Sequence, residues 1–84
     1  MIFLAITPIG LMNALQVTDP SISAIWCGSD AISEIEYGNL NGRNVSRFNY
    51  ALGGEIQNVL AGALETIEDH HPNEMIWIEY VREL

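Results

Sequence analysis

Eleven Asp and Glu residues stand against three arginines and no lysine on 84 residues, giving a formal charge of −8. That balance excludes the basic groove that displaces phosphate counterions, and with it direct binding of nucleic acid. The length allows a single domain, 1–84, hiding roughly 60 to 65% of its unfolded surface, and a chain that is 49% hydrophobic and only 17% charged has the composition of a folded protein, not a disordered acidic one.

Ile2-Phe3-Leu4-Ala5-Ile6 is an unbroken apolar run that suits a strand buried on both faces. Thr7 then reads as a helix N-cap with Pro8 at the first helical position, where its missing N–H is not needed. The spacing predicts a short helix from Pro8 to about Gln16 with Leu11, Met12 and Leu15 on one side, weakened by Gly10. A loop follows from Val17 to Ser21 around Asp19-Pro20. The uncharged stretch from Met1 to Val17 is read neither as a secretory segment nor as a membrane span. It lacks a basic start, Pro8 and Gly10 interrupt it, and it falls short of the ~20 residues a bilayer requires.

A second strand is expected over Ile22–Cys27, closed by Gly28. Beyond it two readings compete. Ser29 or Asp30 can cap a short helix through Ile32 and Ile35. Alternatively Ser33 to Leu40 is a strand that turns at Asn41-Gly42 and returns through Arg43 to Ala51, a hairpin that would pair Glu36 with Arg47 and Ile35 with Phe48. The hairpin is preferred. The clearest element is a helix from about Gly54 to Asp69, with Ile56, Val59, Leu60, Ala63, Leu64 and Ile67 at steps of three and four. Pro72 stops it, and Met75–Val81 reads as a last strand.

In order these elements approximate βαββαβ, the ferredoxin-like arrangement. The expected fold class is α+β: a mainly antiparallel sheet, helices on one face, and an extra hairpin strand or short helix in 28–42.

Chemistry-bearing residues are few. Glu65, Glu68, Asp69, His70, His71 and Glu74 form the densest polar cluster, but no HExxH spacing or second Cys/His group supports a metal site. Carboxylates in the last turn of a helix oppose its dipole, so a counterweight is expected from a protonated histidine or a basic partner. Cys27, the lone cysteine, fits a reducing cytoplasm and reads as a small buried hydrophobe, with a nucleophile at a strand end as the rival reading. Gly53-Gly54 reads as a tight turn, since no phosphate-binding motif surrounds it and a P-loop lysine is absent. Trp26, Trp77, Tyr37, Tyr50, Phe48 and Tyr80 read as core or interface, not as a base-stacking platform. No cofactor and no catalytic residue is expected.

The expected function is therefore a small noncatalytic binding protein whose acidic face docks on a basic, nucleic-acid-binding surface of another protein. In size and charge the chain resembles small acidic phage and mobile-element proteins that block host nucleases, the anti-restriction and anti-CRISPR inhibitors. The likeness is one of bulk properties, and no motif carries it. Candidate contacts are Asp30, Glu34, Glu36, Glu65, Glu68, Asp69 and Glu74, acting as carboxylates that imitate phosphate or pair with arginine. The alternatives are an immunity protein or antitoxin against a basic toxin, a metal- or thiol-dependent enzyme or sensor using Cys27 or His70 and His71, and a structural homodimer joined through Trp77, Ile78 and Tyr80.

Overall fold

The computed structural model describes residues 1–19, 21–40, 43–53 and 57–81. In chain order they form β1 (Ile2–Ala5), α1 (Pro8–Val17), β2 (Ala24–Cys27), α2 (Glu34–Gly38), β3 (Val45–Arg47), α3 (Gln57–His70) and β4 (Ile76–Ile78). The strands lie in the order β3-β2-β1-β4, and each neighbouring pair is parallel.

The mainly antiparallel, ferredoxin-like sheet is thus corrected to an all-parallel one. A βαββαβ chain needs one hairpin to reverse its direction, and the segment that was to supply it folds otherwise. Ser33 caps α2: its hydroxyl oxygen accepts from the Glu36 N–H and its O–H donates to the Glu36 carboxylate, both at 3.1 Å. This is a relative of the capping box, and Glu34 and Glu36 in the first turn favour the helix dipole. The short helix expected as the alternative over 28–42 is present, capped by Ser33 and not by Ser29 or Asp30. Asn41 and Gly42, the proposed turn, lie outside the described residues.

Parallel strands require a crossover each time, and the chain supplies a helix in all three connections. The first two crossovers step outward from β1 to β2 to β3, and the third returns beyond β1 to β4. With right-handed crossovers that reversal places α1 and α2 on one face and α3 on the other. The core agrees. Ile2, Leu4, Ala24 and Trp26 turn toward Ala63 and Ile67 of α3, while Ala5, Ile25 and Cys27 turn toward Leu11 and Ala14 of α1. Helices on one face is therefore a second correction. Cover on both faces is what makes the β1 and β2 runs continuously apolar.

Several local expectations hold. Thr7 caps α1 by accepting from the Gly10 N–H at 3.0 Å, with Pro8 at the helix start. In α1 the buried side chains are Leu11 and Ala14, whereas Met12, expected beside Leu11, is 59% exposed. In α3 the fully buried pair is Ala63 and Ile67, flanked by Leu60 and Leu64. Gly54, Glu55 and Ile56, expected to open that helix, lie outside the described residues. Among the described residues no helix is long and apolar enough to cross a membrane.

Candidate functional site

Open parallel sheets bind ligands outside the carboxyl ends of their strands, where the strand order reverses. Here that point lies between β1 and β4, and the chain fills it with its own carboxylate. Glu79, directly after β4, accepts from the N–H groups of Ile6 and Thr7 at 2.6 and 2.8 Å through Oε1, and from the Thr7 hydroxyl at 2.5 Å through Oε2. The first-turn Gly10 leaves room for it, since a Cβ there would collide with the Glu79 carboxylate. An anion thus sits where the helix dipole favours one, and it is internal. Sequence reasoning placed Glu79 in a strand and gave it no role.

The seven candidate contacts fall into separate groups. Glu34 and Glu36 are exposed on α2, and Asp30 is exposed in the loop after β2, all on the α1 side of the sheet. Asp30 is engaged within the fold, accepting the Leu52 N–H at 3.2 Å and the Gly53 N–H at 3.0 Å, so it ties the loop after β2 to the segment after β3. Glu65, Glu68 and Asp69 are exposed on successive turns of α3, on the opposite side, with no hydrogen-bond or ion-pair partner among the described residues. Glu74 lies apart, 2.9 Å from the N-terminal ammonium and 3.2 Å from His71 Nδ1. The hydrogen bond from that ammonium, with help from His71, holds its carboxyl below the usual carboxylate range.

His70 and His71 do not join these acids around a common centre, and among the described residues no three His, Cys, Asp or Glu side chains converge as metal ligands. Both rings turn to the indole of Trp26, with centroids 5.4 and 6.1 Å away. His70 Nδ1 is 2.9 Å from the carbonyl of Thr66, one turn earlier in α3, so the ring folds back along the last turn of its own helix. Trp26 also packs on Phe48 at 5.2 Å, and Phe48 on Tyr50 at 5.0 Å. Two of the aromatics considered for stacking, Trp26 and Phe48, are therefore core.

Cys27 is fully buried beneath α1. Burial, above all, pushes its thiol up to about 11 against the opposing pull of Arg47. A thiol that stays protonated at neutral pH is a poor nucleophile.

Both described arginines turn inward. Arg43 donates to the Leu15 carbonyl, and Arg47 donates to the carbonyls of Ile32 and Ser29 at 2.8 and 3.2 Å. Among the described residues only Glu34 comes within ion-pair range of Arg47, at 3.9 Å, with its own side chain 86% exposed. These two arginines therefore serve the loops, and Glu36, Glu65, Glu68 and Asp69 have no cationic partner among the described residues. No protein-family model, no curated protein and no solved structure matches this chain.

Proposed function

We infer that this is a noncatalytic binding protein whose exposed carboxylates dock on a basic surface of a partner protein, of the kind that otherwise holds nucleic acid. The observation that carries the reading is the inward placement of Arg43 and Arg47 on backbone carbonyls. It leaves Glu65, Glu68 and Asp69 on α3, and Glu36 with the distantly paired Glu34 on α2, facing solvent. Fixed carboxylates of one sign steer a cationic partner inward and repel acidic competitors. An inhibitor of a host nuclease and an immunity protein against a basic toxin use this same physics, and the identity of the partner separates them.

The test is capture from a lysate on immobilised protein, washed across a salt gradient, with the captured protein identified. The reading expects a basic protein released as salt rises. Reversing the α3 acids (Glu65→Lys, Glu68→Lys, Asp69→Lys) or the α2 acids (Glu34→Lys, Glu36→Lys) must then weaken capture for at least one group. Capture unmoved by salt and by both reversals would refute the assignment.

A further inference from the structure

Along Pro8–Val17, α1 carries no charged residue, and besides the polar Asn13 and Gln16 it leaves Ile9, Met12 and Val17 more than half exposed, more apolar surface than one covered face accounts for. The sheet covers the side bearing Leu11 and Ala14. The side toward α2 is left open, because α2 has five residues, none of them buried. Hydrogen bonds hold α2 in place where packing would normally do so. The Tyr37 hydroxyl donates to the Val45 carbonyl at 3.1 Å, and Arg47 Nε, from β3, donates to the Ile32 carbonyl just ahead of the helix at 2.8 Å.

What remains between the two helices is an open cleft of about 650 Å³, lined by Leu11, Leu15, Ile32 and Leu40, with Met12 and Glu36 also facing it. Met12 is more than half exposed there, and methionine is the side chain that best adapts to an incoming apolar surface. Two carboxylates line the cleft, Glu36 on α2 and Asp30 in the loop after β2. Among the described residues no arginine lines it, and the chain has no lysine.

We propose that the cleft between α1 and α2 is a docking groove for a basic amphipathic segment of the partner protein. The apolar residues of that segment seat on Leu11, Leu15 and Ile32 against Met12, and its cations meet Glu36 and Asp30. This rests on the reading of the chain as an acidic binding protein. Charge complementarity selects the occupant: a second copy brings a further −8 and an anionic bilayer is repelled, whereas a cationic helix laid in an apolar groove satisfies both the floor and the rim.

The probe is a fluorescently labelled leucine–lysine peptide with helical amphipathic spacing, compared by polarisation with a scrambled peptide of the same composition. At physiological salt the screening length is about 8 Å, so α3 on the opposite side of a body 22 Å across at its thinnest contributes little. The patterned peptide should bind about tenfold or more tightly than the scrambled one, and Met12→Asp should erase that margin even though it adds negative charge. Met12→Gln should reduce it, and reversal of the three α3 acids should leave it within about twofold.

Equal binding of the two peptides, or undiminished binding by both Met12 variants, overturns the groove. The acidic reading survives that outcome if salt still releases both peptides. If neither peptide binds even at low salt, the groove and the acidic reading fall together.

Discussion

Glu79 shows how one side chain can settle the chemistry of a fold's most reactive corner. Three donors from the β1–α1 turn converge on it from residues 72 and 73 positions away, so nothing in its local sequence marks it out. Removing it would leave partly buried N–H groups without an acceptor, which costs about 1–3 kcal/mol per group. Glu79→Ala is therefore expected to lower the urea midpoint by an amount equivalent to at least about 1 kcal/mol; an unchanged midpoint would contradict the latch. Cys27 yields a second expectation. Its folded pKa of about 11 stands above the ordinary value of 9.0, so the unfolded chain gives up the proton first as pH rises. The resulting stability is whole below pH 9 and is lost as pH climbs through about 11. At neutral pH a thiol reagent should label Cys27 only at the rate of unfolding, and prompt labelling of the native protein would sink that account. Of these two residues, Cys27 was legible as a buried hydrophobe from its place at the end of an apolar run, whereas Glu79 was not, because its partners are distant in the chain.

At the scale of the element, the long periodic segments were readable and the short ambiguous one was not. Thr7-Pro8 announces α1, and the three-and-four spacing around Ala63 and Ile67 announces α3, because each pattern reports directly on a buried face. Residues 33–40 carry two valid local signals, a Ser33-to-Glu36 capping pattern and a following Asn41-Gly42 turn. The capping pattern prevails over 34–38 through hydrogen bonds that form within a single turn, while the hairpin would need the whole of two neighbouring runs to pair in one register. Ser33→Ala should accordingly weaken α2 by roughly 0.5–2 kcal/mol. Because α2 has no buried residue, the loss should appear locally, as faster hydrogen exchange at the amides of Glu36, Tyr37 and Gly38 with little change at β1. Equal acceleration at β1 would mean that α2 is part of the cooperative core.

At the scale of the whole molecule, one misread element was enough to change the topology. Once 34–38 is a helix, β1, β2 and β3 are each followed by a crossover, and an all-parallel sheet with helices on both faces follows. The composition foretold the sign of the surface but not its distribution. Only the fold reveals that α2 and α3 present their acids on opposite sides, that Asp30 and Glu74 are engaged internally, and that Arg43 and Arg47 are spent on backbone carbonyls, with only the distant Glu34 near Arg47 among the described residues. The claim on which the account turns is that the charge of the exposed acids is the recognition element. The most direct measurement is the salt dependence of the dissociation constant for the captured partner, taken with the native chain and with Glu34, Glu36, Glu65, Glu68 and Asp69 all reversed to lysine. The account predicts that affinity of the native chain falls steeply with salt, and that the reversed chain binds weakly with a flat or inverted dependence. Parallel lines of equal affinity for the two proteins would contradict it.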